Sequence, residues 1–223
     1  MLAFDTPEGP LDFAPTRALV AGWTGRDPAK VAHHVEELAA IGVPRPSTTP
    51  LYYRVPAATL TQDETVEVLG AAAGGEAEPV ILDDGARLWL TLGSDHTDRG
   101  LEAHSVAHSK AIAPKILARA AWPLDAVADR LDSLVLEAEV AEDGWRAYQS
   151  GRLDAMLPLA SLVDRAPGAT DGRPGRGTVL LCGTIPAIGG VRPNTGFRAR
   201  LADPATGQEI TLAYRVAILP VIA

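Results

Sequence analysis

Apolar and polar positions alternate with period two over long parts of the chain, the spacing of side chains on a strand. Thr65-Val66-Glu67-Val68-Leu69 alternates, and residues 59–69 are expected to form one strand. Leu134-Val135-Leu136-Glu137-Ala138-Glu139-Val140 alternates too; Glu142-Asp143-Gly144 turns the chain and residues 145–149 return it, which predicts a hairpin. A second tight turn, Asp83-Asp84-Gly85, joins the apolar run Pro79-Val80-Ile81-Leu82 to a return strand over 87–92. Further strands are predicted at 18–21, 49–55 and 178–184, and two more flank Ala205-Thr206-Gly207.

Helical spacing is scarcer. Asp27-Pro28 is a cap followed by a first-turn proline, and Val31, Val35 and Leu38 form an apolar stripe. That helix is expected to reach about Ile41 and to stop at Gly42, ahead of Pro44 and Pro46. Residues 100–120 have helical character that Pro114 interrupts, which predicts two short helices or a helix and a loop; another helix is expected from Trp122 to about Leu131, and a short one over 157–164. Residues 166–177 are a Pro/Gly-rich loop. The pattern is that of an α+β, β-rich chain with a few short helices.

The formal net charge of -8, with no basic cluster beyond the loop Gly172-Arg173-Pro174-Gly175-Arg176, excludes a nucleic-acid binder. The single Cys182 excludes an internal disulfide and a multi-cysteine zinc site, and its apolar strand makes it inert core. The N-terminus lacks the pattern of a signal peptide, and no apolar run reaches the length of a membrane span. A soluble, cytoplasmic protein without membrane contact is therefore expected. The small-residue stretch over 71–75 lacks a following Gly-Lys-Ser/Thr and is no phosphate loop.

Candidate chemistry centres on Glu76 and Glu78, which share a face if their segment is a strand. The return strand brings Asp95 back to their end. Three converging carboxylates suit a hard cation, Mg²⁺, Mn²⁺ or Ca²⁺; the alternative is a solvated edge strand. On the first helix His34 and Glu37 are three apart and able to touch, as in a carboxylate-held general base, while His33 and Glu36 fall on the opposite side. The alternative there is a surface pair without chemistry. His104 and His108 have helical metal-ligand spacing, but no glutamate lies between them in the zinc-protease pattern.

These local patterns, in order, resemble those of the fumarylacetoacetate hydrolase (FAH) superfamily. Glu76-Ala77-Glu78-Pro79-Val80 is similar to its Glu-x-Glu metal strand. Residues 94–102, Ser-Asp-His-Thr-Asp-Arg-Gly-Leu-Glu, resemble its Asn-Asp-Val-Ser-Ala-Arg-Asp-Leu-Gln stretch. Ser109-Lys110 resembles its Gly-Lys pair, and residues 177–186 its Gly-Thr-Pro loop. His34-Val35-Glu36-Glu37 resembles its lid His-x-x-Glu.

The resemblance implies an FAH-like mixed β-sandwich or β-roll, normally a homodimer. Residues 1–60 would form an N-terminal strand/helix segment with a lid, and 61–223 the catalytic β-roll domain. It implies Glu76, Glu78 and Asp95 as ligands of Mg²⁺ or Mn²⁺, with His34, Glu37 and Lys110 catalytic and Arg99, Glu102 and Thr184 substrate-binding. The implied activity is hydrolase or lyase cleavage of a C–C bond in a small keto acid, of acylpyruvate or β-diketo acid type, through a metal-stabilised enolate. The alternatives are a decarboxylase, tautomerase or hydratase on a related 2-keto acid, or an inactive binding protein of the same fold. Two departures stand out. Glu102 replaces a glutamine that helps bind a developing oxyanion, and a carboxylate repels that charge unless it is neutralised. His96 replaces the motif valine.

Overall fold

The computed structural model describes residues 1–40 and 44–222, apart from the side chains of His34, Glu37 and Leu38. Its largest sheet runs, edge to edge, through the strands Leu51–Val55, Arg17–Gly22, Thr178–Leu181, Ala77–Asp83, Leu88–Asp95, Lys115–Leu117 and Leu60–Thr61. Trp122–Pro123 adds to this sheet beside Leu90 and Trp89. A five-stranded sheet holds Gly144–Arg152, Val135–Glu142, Gly196–Asp203, Gln208–Leu219 and Thr65–Leu69 in that order.

Both faces of the large sheet are covered. On one, Ile81, Leu90 and Leu92 pack with Leu136, Val140, Phe197 and Leu201 of the five-stranded sheet. On the other, Val80, Leu82 and Val179 pack with Leu2, Phe4 and Phe13 of the N-terminal hairpin Leu2–Thr6/Gly9–Phe13. A strand buried on both faces has no polar side to alternate with, hence the unbroken run Val80-Ile81-Leu82. All seven residues of Ala77–Asp83 are buried, so the solvated edge-strand alternative does not hold.

The hairpin over Asp83-Asp84-Gly85 and the one joining Val135–Glu142 to Gly144–Arg152 form as expected. Helix Pro28–Ala40 begins where Asp27 Oδ1 accepts from the Ala29 N–H at 2.9 Å; its expected stop at Ile41 and Gly42 lies outside the described residues.

Three expectations are corrected. Residues 59–69 are two strands in different sheets, because Thr61 and Asp63 turn the chain through their own side chains, Thr61 Oγ1 donating to Asp63 Oδ2 at 2.6 Å. Two short helices form within 100–120, Arg99–Glu102 and Val106–Ile112, but both precede Pro114, and beyond it the chain is the strand Lys115–Leu117, captured by the edge of Leu88–Asp95. The helix expected over 122–131 is absent: Trp122 is drawn into the sheet opposite Leu90, and only the short 3₁₀ turns Leu124–Ala126 and Leu131–Ser133 follow. Sheet pairing outcompetes weak local helix propensity at both places.

Candidate active site

The register of the central hairpin builds the site. Glu78 lies opposite Gly93, Ala77 opposite Ser94, and the Asp95 N–H donates to Glu76 O at 3.0 Å. Opposed residues share a face, so Glu76, Glu78 and Asp95 project together. Helix Val106–Ile112, capped by the Ser105 side chain on the His108 N–H, brings Lys110 onto this face. Helix Arg99–Glu102, capped by Asp98, brings Arg99 and Glu102.

These charges interlock. Lys110 Nζ forms an ion pair with Asp95 Oδ2, and Lys115 Nζ lies 3.1 Å from Asp95 Oδ1. Arg99 bridges Glu76 at 2.8 Å and Glu102 at 3.0 Å. Glu78, buried, accepts the Gly183 N–H at 2.8 Å. Gly183 has φ +80°, and a Cβ there would collide with Thr24 Oγ1, so glycine is what lets this amide approach.

Burial alone would push the Lys110 ammonium down, but attraction to Asp95, then Glu76 and Glu78, outweighs it and holds the group above the usual lysine range. Burial likewise opposes ionisation of Asp95, yet Lys110 and Lys115 keep its carboxyl well below the ordinary value. Glu78 goes the other way: burial first, then repulsion from Asp95, raise its carboxyl well above that value. Glu102 is paired with Arg99 on its own helix, a charge it shares with Glu76, so the repulsion expected of it at an oxyanion site is reduced.

Behind the site strand the packing is as specific. Ser94 Oγ and Tyr214 Oη are 2.8 Å apart, and His96 Nδ1 is 3.0 Å from the same hydroxyl. Burial, then the nearby Lys115 and Arg99 charges, push the His96 imidazole down to about 3, so it is neutral at ordinary pH. A register shift at Ala138/Glu139 turns both Tyr148 and Gln149 inward. Gln149 Oε1 then accepts the Ala77 N–H at 2.8 Å, while its Nε2 donates to Thr184 Oγ1 at 2.6 Å and Ile185 O at 2.9 Å. Thr184 Oγ1 in turn donates to Ala77 O. The Thr184 hydroxyl therefore ties loop to strand. Gln149→Leu would leave these buried groups unpaired, and a loss of about 2–3 kcal/mol is expected in urea unfolding.

Glu76, Glu78, Asp95, Lys110, Arg99 and Glu102 are thus brought into one cluster, with Thr184 anchoring its edge. His34 and Glu37 belong to helix Pro28–Ala40, but their side chains lie outside the described residues. His104 and His108 are exposed, and His108 Nδ1 pairs with Ser105 Oγ at 2.8 Å. Lys115, Gln149 and Tyr214 are not site candidates in the sequence reading, and His96 enters it only as a departure from the motif. Lys115 carries the clearest signal in retrospect, a lone cation between Pro114 and the apolar run Ile116-Leu117-Ala118.

The donor set can be tested against a divalent ion. Among the described residues no three His, Cys, Asp or Glu side chains converge closely enough to hold a metal ion as they stand. The three acids instead share a face, each held by a nearby donor. Asp95 Oδ1 is nonetheless buried without a hydrogen bond, and Glu78 is buried beside another carboxylate in want of positive charge. These two acids have the oxygen chemistry a hard cation takes, while Glu76 beside them is paired with Arg99.

A strand-rich sandwich with this acidic hairpin at its centre defines the α+β, FAH-like fold expected from the sequence. The chain belongs to the family described as "Protein of unknown function (DUF2848)", whose profile matches residues 21–214. Among solved structures it is similar to Cg1458 with inhibitor, at 17% identity and a TM-score of 0.65 over 93% of this chain and 78% of that one. It is similar to 2-keto-3-deoxy-D-arabinonate dehydratase complexed with magnesium and 2,5-dioxopentanoate, at 16% identity and 0.60 over 93% and 74%. It is also similar to 4-oxalocrotonate decarboxylase from Pseudomonas putida G7, complexed with calcium and acetate, at 17% identity and 0.54 over 91% and 79%. At such identities the likeness is one of fold. No curated protein matches the chain in sequence. Among the described residues no helix is long and apolar enough to cross a membrane.

Proposed function

We propose that this chain is a divalent-metal-dependent enzyme of the FAH superfamily that cleaves a C–C bond in a small keto acid of acylpyruvate or β-diketo acid type. The carrying observation is the grouping of buried Glu78 and Asp95 and half-buried Glu76 with Lys110 on adjacent elements. Glu76, Glu78 and Asp95 would hold Mg²⁺ or Mn²⁺, and Ca²⁺ suits the same oxygens. The ion, when bound, supplies Lewis-acid stabilisation of the negative charge of an enolate. Lys110 binds a substrate carboxylate or the developing charge as a point-charge donor. Arg99 orients Glu76 and Glu102 through the ion pairs it makes with both. Thr184 fixes the loop at the substrate's edge and contacts it through its backbone. His34, oriented by Glu37, activates water.

A second reading is dehydration or decarboxylation of a related 2-keto acid. It is favoured by the names of two fold neighbours and by Glu102, which stands where the family's oxyanion-binding glutamine would be. As in the superfamily, a homodimer is the proposed assembly.

Thermal melting after EDTA treatment tests the metal, and isotope tracing tests the reaction. Mn²⁺ or Mg²⁺ should raise the melting temperature, and oxalate should raise it further. With β-diketo acids, ¹⁸O from water should enter one of two fragments; release of CO₂, or loss of water without fragmentation, would select the second reading. Melting curves that ignore Mg²⁺, Mn²⁺ and Ca²⁺ alike would overturn both.

A further inference from the structure

The chain contains three lysines among its 20 lysine and arginine residues. Lys30 is exposed on the first helix. The other two, Lys110 and Lys115, both lie against Asp95. Surface positive charge is thus almost entirely arginine, and lysine is concentrated where a compact ammonium is buried.

The two buried lysines are held differently. Lys115 is 0% exposed, and its Nζ donates to His96 O at 2.7 Å, Lys110 O at 2.6 Å and Ala113 O at 3.1 Å. An ammonium has three hydrogens, and three carbonyls take them. Asp95 Oδ1, 3.1 Å away, receives charge but no hydrogen, which is why that oxygen is buried without a hydrogen bond. Two of the carbonyls, those of Lys110 and Ala113, lie at the C-terminal end of helix Val106–Ile112, where a cation is favoured. The third belongs to the strand end next to Asp95. Lys115 therefore fastens the helix bearing Lys110 to the strand bearing Asp95.

Among the described residues Lys110 has no such backbone cage. Its Nζ is bonded to Asp95 Oδ2 and lies 5.9 Å from the centre of the Tyr53 ring. A buried carboxylate abandoned by its only counter-ion would cost several kcal/mol. Asp95 has two counter-ions, and one of them is fixed.

We infer that Lys115 is a positioning residue: a counter-ion fixed against Asp95 by its carbonyl cage, so that Lys110 can swing its ammonium from Asp95 to the carboxylate of a ligand without leaving Asp95 unpaired. The movement of Lys110 rests on the keto-acid reading above. The fixed role of Lys115 does not.

Lysine labelled with ¹⁵N at Nζ tests this, because the protein would give at most three ammonium signals, assigned with Lys110→Met and Lys30→Arg. In the ligand-free protein the Lys115 hydrogens should exchange with water at least about tenfold more slowly than those of Lys110, and those of Lys30 fastest. Adding Mg²⁺ and oxalate should move the Lys110 signal and leave that of Lys115 in place. Lys115→Asn, if it folds, should slow Lys110 exchange, since Asp95 then holds one partner. Lys115 hydrogens that exchange as fast as those of Lys110, or a Lys115 signal that shifts with the ligand, would overturn the assignment. If neither signal responds to oxalate while Lys115 stays protected, the fixed counter-ion stands and the keto-acid reading fails, taking the transfer step with it.

Discussion

Asp95→Ala is expected to destabilise the protein by about 3–5 kcal/mol in urea unfolding, because it removes the carboxylate that contacts two buried ammonium groups. Lys110 and Lys115 both contact the carboxylate, and Asp95 and Lys115 have fully buried side chains. Asp95→Asn should cost less, since the amide oxygen can still accept from Lys110. Adding Lys110→Met to Asp95→Ala should recover part of the loss, and that non-additivity identifies the ion pair as the cause. A surface pair supplies the contrast: Glu139 meets Arg198 at 2.6 Å with side chains 40% and 45% exposed, and Glu139→Ala should change stability by less than about 1 kcal/mol. The pH dependence has a definite sign. The Asp95 carboxyl is held below its unfolded value against the opposing effect of burial, by Lys110 and Lys115. Its stabilisation is therefore fully present above about pH 4 and fades only as the pH falls through the lower folded-state value. The gap between wild type and Asp95→Asn should stay level from pH 5 upward and narrow in strong acid.

How much of this was legible from the chain follows from the range of each interaction. The acidic hairpin was legible because its signals are local: a two-aspartate-glycine turn, an apolar run before it, and alternation that carries Glu76, Glu78 and Asp95 to one end. The start of the first helix was legible for the same reason, since Asp27 caps its own neighbours. Lys115 was not. Its segment reads as helical until the chain beyond Pro114 meets two partners far away in sequence, Asp95 and Leu60. The strand exists because those edges capture it. Gln149 was visible as part of a hairpin, but its role depends on a one-residue register shift that local pattern does not encode. Glu102 looked hostile to an oxyanion site when read against a motif. Its pairing with Arg99, three residues earlier on the same short helix, was within reach of helical spacing, whereas the further link from Arg99 to Glu76 required the fold.

Glu78→Gln should make the metal-free protein more stable near neutral pH while abolishing stabilisation by metal. Burial, and then the neighbouring Asp95 charge, raise the Glu78 carboxyl above its unfolded value. A raised value means that the stabilising contribution is complete below about pH 4, the unfolded range for glutamate, and is lost as the pH rises through the folded-state value. Without metal, wild-type stability should therefore decline from mildly acid to neutral pH by an amount that Glu78→Gln removes. Glutamine keeps an acceptor for the Gly183 N–H, which now donates to Glu78 at 2.8 Å, so the substitution changes charge with little change in shape. With Mn²⁺ at about a hundred times its dissociation constant, wild type should gain about 2.7 kcal/mol, and Glu78→Gln should gain almost none. The two effects have opposite signs in one variant. A purely structural carboxylate predicts no metal-linked gain to lose, and a variant that loses stability both with and without metal would make Glu78 a buttress of the fold and not a ligand.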